Sequence, residues 1–439
     1  MLSSNGSHSR ANQMHSWYRG KMETTLKCAV EDIDDFAIWY TPGVAEPCLA
    51  IARQPDLVYD YTSKWNTVII VSDGSRVLGL GDIGPKAGLP VMEGKALLYK
   101  YLGGVDAVPI MLDTKDPDEI IETVLRLQPA FGGVNLEDIA MPKCFHILNE
   151  LRRLAEIPVW HDDQQGTATV ILAGLINALK VVGKRIETAR IVFVGAGAAG
   201  VATARLVFAR GADPANCLVV DAGGILGRHR HDIARNAEQM LPQWQLCYQT
   251  NPSGLQGGIA AALRGADVVI AASKPGPDTI RPEWIQAMNK DAIVFACANP
   301  TPEIWPWAAR EAGAAVVATG RSDFPNQVNN SLIFPGLFRG ALDVRARTIT
   351  DEMCFAAADT LAAGVGAALG PEQLLPTMAH WEVFAQIATA VAMTAQKQGI
   401  ARVNLSCDEL SQRALQLIGR SRRLTQMMLE QGFIEQKPE

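Results

Sequence analysis

The chain has 439 residues, 48% of them hydrophobic and 20% charged, with a formal net charge of -6. Those are the proportions of an ordinary globular protein, long enough for two or three cores. The mildly acidic balance gives no electrostatic reason to expect nucleic acid or an anionic membrane as a partner.

The first twenty residues are polar and lack the apolar core of a secretory signal, so a cytoplasmic protein is expected. They read as a poorly ordered stretch or an arm onto a partner subunit. "TVIIVSD" (67–73) reads as a strand. The glycine-dense run from Gly79 to Gly88 reads as a shaped loop, and "MEGKALLYKYLGG" (92–104) as a helix ended by glycines. A strand follows at 107–112, then a helix at 116–127 with acids in its first turn, as the helix dipole favours. The segment 131–138 reads as a strand end, 142–154 as a helix and 157–161 as a strand. Strand–helix alternation of this kind implies a parallel α/β sheet.

A helix over Thr167–Val182 leads into a second α/β unit, with strands expected at 190–194, 217–221, 267–272, 292–297 and 314–318. Beyond Pro335 the apolar spacing is helical, and the last twenty or so residues read as a charged terminal helix. The expected division is 1–161, 162–334 and 335–439, the last packing back on the catalytic part. The longest apolar run, Ile191–Ala209, is glycine-rich and interrupted by Arg205, so no membrane span is expected from it. The eight cysteines are scattered without CxxC or CxxH pairs. That pattern argues against a zinc site or disulfide framework and for a reducing compartment.

"VFVGAGAAGVATARL" contains Gly195-x-Gly197-x-x-Gly200 between a strand and a helix. The next strand ends in Asp221, the spaced acid of the dinucleotide fingerprint. The first glycine allows the tight turn, the second the approach of the pyrophosphate, and the third close helix–strand packing. A Rossmann-type unit is therefore expected, with the pyrophosphate at the helix N-terminus. Asp221 favours NAD through the ribose hydroxyls, while Arg228 or Arg230 in "GRHRHD" offers a site for the extra phosphate of NADP.

Four acids fall at successive strand ends: Glu137 and Asp138 in "NLED", Asp162 and Asp163 in "HDDQ". Carboxylates converging without a cation would repel strongly, and oxygen ligands suit Mg2+ or Mn2+. His161 reads as a hydrogen-bonding partner of this set rather than a ligand, and His146 as a packed or surface residue of an amphipathic helix. Lys95, placed near a helix N-terminus and a cation, would have its charged form disfavoured and become a base. Tyr40 sits before a Thr-Pro-Gly turn, Asn299 falls at the end of a strand of the cofactor half, and Asn329 and Asn330 lie in a turn beyond it.

Taken together, "YTPGVAEPC", "SDGSRVLGLGDIGPKAGLPVMEGKALLYK", "FGGVNLEDI", "HDDQQGTA", "VGAGAAG", "ANPTPEI" and "GRSDFPNQVNNSLIFPG" resemble the malic enzymes, in the family's order and over most of the chain. The "GRSDFPNQVNN" segment resembles the short bacterial branch. The resemblance implies an N-terminal substrate and metal domain, a Rossmann-type NAD(P) domain and C-terminal helices. It implies oxidative decarboxylation of L-malate, through oxaloacetate, to pyruvate, in a homodimer. The alternatives are a relative that decarboxylates oxaloacetate or makes lactate, and a dinucleotide sensor with a decayed site.

By the same resemblance, Tyr40 is the acid, Lys95 the base and Asp162 the residue that tunes it. Glu137, Asp138 and Asp163 hold the metal. The cofactor contacts are Gly195, Ala196, Gly197, Ala198, Ala199, Gly200, Asp221, Ser273 and Asn299. Substrate contacts are Arg76, Asn299, Asn329 and Asn330. Two positions depart from the short branch, Arg76 where a small residue is usual and Gln165 where a histidine is, and Lys274 stands where the family often has a smaller residue. Arg76 is then placed to clamp a malate carboxylate.

Overall fold

The computed structural model describes residues 4–438. The expected N-terminal arm is a helix, α1 (Ser4–Tyr18). Its end is tied down where the Tyr18 hydroxyl donates to the carbonyl of Glu435. The first sheet comprises β1 (Thr67–Ser72), β2 (Asp106–Met111), β3 (Gly133–Leu136) and β4 (Val159–His161), all parallel in the order β2-β1-β3-β4. β1 and β3 are buried along their whole length, as the inner strands of a covered parallel sheet must be, and both are apolar but for Asn135 and the ends of β1.

Helix α2 (Gly84–Gly103) begins well before the expected start at residue 92. Its glycines and prolines mimic a loop, but several have a helical use. Pro85 occupies the first turn, where its missing N–H costs nothing. Gly88 lets the helix lie close against Val77 and Met111. Gly104 takes the left-handed conformation that ends the helix. Lys95 therefore sits mid-helix, beyond the reach of the N-terminal dipole, which falls off within the first turn. Helices α3 (Pro117–Leu127) and α4 (Lys143–Leu154) complete this half.

A five-residue π-helical turn, Asp162–Gly166, runs from β4 straight into α5 (Thr167–Val182). Together they form the one helix, among the described residues, long and apolar enough to cross a membrane, and 67% of its apolar window is buried inside the fold. The second sheet has β5 (Ile191–Val194), β6 (Cys217–Asp221), β7 (Gly224–Ile225), β8 (Val268–Ala271), β9 (Ala292–Ala296) and β10 (Ala314–Thr319). The strand order is β10-β9-β8-β5-β6-β7, and only the short edge strand β7, absent from the sequence reading, is antiparallel. The order reverses beside β5, so the glycine-rich turn into α6 (Ala198–Ala209) lies at the switch point where such sheets bind ligands.

The last part is helical: α7 (Phe334–Asp343), α8 (Asp351–Ala363), α9 (Glu382–Lys397) and α10 (Cys407–Glu430). α10 starts earlier than expected, at a capping box of Ser406 and Glu409, and stops at Glu430. These helices brace both halves. The Ser421 hydroxyl donates to the Lys100 carbonyl at the end of α2, and Asn177 of α5 donates to the carbonyls of Ala362 and Leu374.

Arg339 on α7 is fully buried and bonds Asp343 with both prongs, while Arg413 of α10 reaches the same carboxylate at 2.9 Å. Asp343→Ala strands the buried Arg339 cation. A loss of about 3–5 kcal/mol is expected, read as a lower urea midpoint at unchanged m-value.

Candidate active site

A cavity of 920 Å3 opens at the C-terminal ends of both sheets. Arg76, Lys95, Glu137 and Asp138 line it from the first half, Asp163 from the π turn, and Gly197, Ala198, Ala199, Ser273, Asn299, Asn329 and Asn330 from the second.

Lys95 is buried, with Nζ against a carboxylate oxygen of Asp162 and 3.0 Å from Glu137 Oε2. The Phe334 ring lies 4.3 Å from the same nitrogen. Burial pushes the lysine pKa down, but Asp162 and then Glu137 outweigh it, and the net shift is upward. The helix-end half of the expectation does not hold, because Lys95 lies in the middle of α2. The base has to be released from its two acids rather than prepared by the helix.

Asp162 Oδ1 accepts from the Trp160 indole at 2.9 Å. Glu137 Oε2 accepts from Asn135 Nδ2 at 2.9 Å, and Asn135 Oδ1 accepts from the Tyr99 hydroxyl at 2.8 Å. A buried polar chain thus runs Tyr99–Asn135–Glu137–Lys95–Asp162–Trp160. The sequence reading missed Tyr99, Asn135 and Trp160. Asn135 carried a signal: an amide inside a strand buried on both faces needs a partner.

Glu137, Asp138 and Asp163 offer oxygens that all lie within 4.8 Å of one another. Asp138 takes a left-handed conformation (φ 53°), and its N–H donates to Asp163 Oδ2 at 2.8 Å. Its Oδ2 is buried with no hydrogen-bond partner. Burial, and then the neighbouring carboxylates, push the Glu137 pKa up and that of Asp138 to about 8, while burial alone raises that of Asp163. Three crowded acids with an orphaned oxygen fit a divalent cation and are poorly served without one.

His161 stands apart from the cluster. It is fully buried, Nδ1 is 3.6 Å from Asp163 Oδ2, neither ring nitrogen has a hydrogen-bond partner, and burial lowers its pKa to about 3. Gln165 turns back to accept from the His161 N–H at 3.1 Å. His146 is exposed at the surface.

The acid cluster makes a pH prediction. A folded pKa raised to about 8 stabilises the fold at low pH, and that contribution is lost as pH rises from the ordinary carboxylate range through about 8. Chelated protein is expected to melt lower at about pH 8 than at about pH 5.5 through this group. Added Mn2+ should raise the melting temperature more at the higher pH. An equal Mn2+ gain at both would contradict the assignment.

In the cofactor half, Gly195 has φ 111° and lies so near Ala272 that a Cβ would come within 2.5 Å of its carbonyl oxygen. A Cβ on Gly200 would fall 1.9 Å from the Gly195 carbonyl oxygen. Gly195, Ala196 and Gly200 shape the turn, while Gly197, Ala198 and Ala199 face the cavity. Glu303, also missed, ties the ends of β8 and β9 together. It accepts from the Ser273 N–H at 2.8 Å and the Ala298 N–H at 3.0 Å. Asn329 is partly committed to structure, capping the turn at Ser331. Lys274 is exposed and does not line the cavity.

Asp221 and Arg230 line a second cavity of 540 Å3 at the end of β6. Tyr40 is brought to neither: it is 71% exposed, on the segment before β1.

Residues 19–152 match the family model for the malic enzyme N-terminal domain, and residues 164–396 that for the malic enzyme NAD binding domain. The chain belongs to the malic enzyme family. The turn bearing Asp162 and Asp163 joins the two malic enzyme spans. The chain is 50% identical to the NAD-dependent malic enzyme of Geobacillus stearothermophilus over 87% of this chain and 78% of that one. It is 46% identical to the bifunctional malic/malolactic enzyme of Bacillus subtilis over 93% and 98%. The malic enzyme of Entamoeba histolytica superposes with a TM-score of 0.94 at 45% identity, covering 100% of this chain and 93% of that one. Malic enzymes named for NAD and others named for NADP are both among the relatives.

Proposed function

We propose that the chain catalyses oxidative decarboxylation of L-malate to pyruvate and CO2 with reduction of a nicotinamide dinucleotide. The observation that carries this reading is the meeting of Lys95, clamped by Asp162 and Glu137, with the acid cluster and the glycine-rich turn in one cavity. Glu137, Asp138 and Asp163 would hold Mg2+ or Mn2+, which supplies Lewis-acid polarisation of the substrate oxygens when bound. Arg76 grips a malate carboxylate with its planar fork, and Asn330 and Asn299 orient the rest. Lys95 in its neutral form takes the C2 hydroxyl proton on Nζ, and Asp162 stabilises the ammonium that results. The Trp160 indole fixes Asp162 in that position. A sensor with a decayed site would have no need to keep this set together.

The test is the near-ultraviolet band of reduced nicotinamide. Malate, Mn2+ and NAD should produce it, and chelation should remove it. No band with either cofactor overturns the reading.

We further propose a homodimer in a cytoplasmic setting. Nine large apolar side chains between Leu26 and Leu49 are exposed, among them Ile33 at 82%. A second copy of this face would cover them. Tyr40 lies within that run, so its role as the acid is served across the interface, from the partner subunit to the cavity of the first. The eight free thiols suit a reducing compartment.

A further inference from the structure

The end of β6 decides between NAD and NADP, and two arginines stand near it. Arg228 is exposed, stacks 5.3 Å from the Tyr248 ring centroid, and does not line the second cavity. Arg230 does line it, at 7% exposure. A guanidinium has five N–H donors. Here all five are spent. Nη1 donates to Asp221 Oδ1 at 2.6 Å and to the Gly224 carbonyl at 3.3 Å. Nη2 donates to Asp221 Oδ2 at 2.9 Å and to Asp232 Oδ2 at 2.6 Å. Nε donates to Asp232 Oδ1 at 2.8 Å.

Two of those five donors go to Asp232. It lies outside the cavity, with its side chain 63% exposed. Without Asp232, Nε and one Nη2 proton are released beside the place where a ribose would bond Asp221. The local charge also moves from two carboxylates against one guanidinium to one against one.

We propose that Asp232 sets the cofactor preference for NAD, by holding Arg230 in a saturated clamp that leaves no donor for a 2′-phosphate. Asp232 acts through Arg230 and is a positioning residue. The inference deepens the proposed function and rests on its placing of the cofactor's adenosine ribose at Asp221.

The test compares Asp232→Ala and Asp232→Asn with the parent full-length enzyme. Dissociation constants for NAD and NADP are measured by calorimetry, alongside kcat/KM for both with malate and Mn2+. Asp232→Ala is expected to shift the NADP-to-NAD affinity ratio by about tenfold toward NADP, with NAD affinity held within about threefold. Asp232→Asn, which keeps one acceptor for Nε, should fall between. An unchanged ratio overturns the proposal, as does a shift produced by His229→Ala but not by Asp232→Ala. Asp221→Ala separates the two levels of the argument. If it leaves NAD binding intact, the ribose placement fails and the proposal with it. If it weakens NAD while Asp232→Ala leaves the ratio alone, only the proposal fails. Because the calorimetry needs no turnover, it stands even if malate is not oxidised.

Discussion

Lys95→Ala is expected to lower kcat with malate by about a hundred- to ten-thousandfold, the usual range for removing a positioned base. NAD binding, measured without malate, should be unchanged, since the glycine-rich turn and Asp221 lie in the other half. The change also leaves Asp162 and Glu137 buried without their cation, so a fall in melting temperature is expected beside the loss of rate. Lys95→Arg separates the effects. It restores the positive charge and the fold but cannot release a proton near neutral pH, so stability returns and activity does not. Turnover within about tenfold of the parent in Lys95→Ala would remove the lysine from the chemistry.

Two crippled homodimers are expected to make a working mixture. Tyr40→Phe loses the proton donor and Lys95→Ala the base, so each alone is inactive. If Tyr40 serves the partner subunit's cavity, a heterodimer has one site with both lesions and one with neither. Random reassortment of equal amounts makes half the dimers mixed, each with one intact site. About a quarter of parental activity should then return on co-refolding. Were Tyr40 to serve its own cavity, every site would carry one lesion and nothing would return. The outcome therefore tests both the role of Tyr40 and the interface over Leu26–Leu49. A monomer by ultracentrifugation would end this reading directly.

The strands were legible because most inner strands of the two covered parallel sheets are largely apolar runs, as in Thr67–Ser72 and Ile191–Val194. The start of α2 was not. Glycine and proline at 84–94 have local meanings as breakers, and only packing against β2 and the loop after β1 reveals why a helix keeps them. The acids at 137, 138, 162 and 163 could be found because charge at a strand end is visible locally. The structure places Asp162 against the lysine and Asp163 in the acid cluster. Glu303, Asn135 and Trp160 escaped notice because each acts through a hydrogen bond whose purpose depends on a distant partner or on burial. The two carboxylates that clamp Lys95 were missed as its partners for the same reason: Glu137 and Asp162 are dozens of residues away. Tyr40 marks a further limit, since a motif carries no information about which copy of the chain completes a site.

The π turn at Asp162–Gly166 has a consequence for how this chain tolerates insertions and deletions. Two adjacent carboxylates leave it in different directions, one to the lysine and one to the acid cluster. A single residue lost or gained here would rotate everything downstream by about 100°. α5, apolar and buried on nearly every side, would then meet its neighbours with the wrong side chains. The length of this turn is thus as constrained as the identity of its acids. Natural length variation between the halves should fall instead in exposed connections such as the one between α5 and β5, where an added residue changes only the path of the chain.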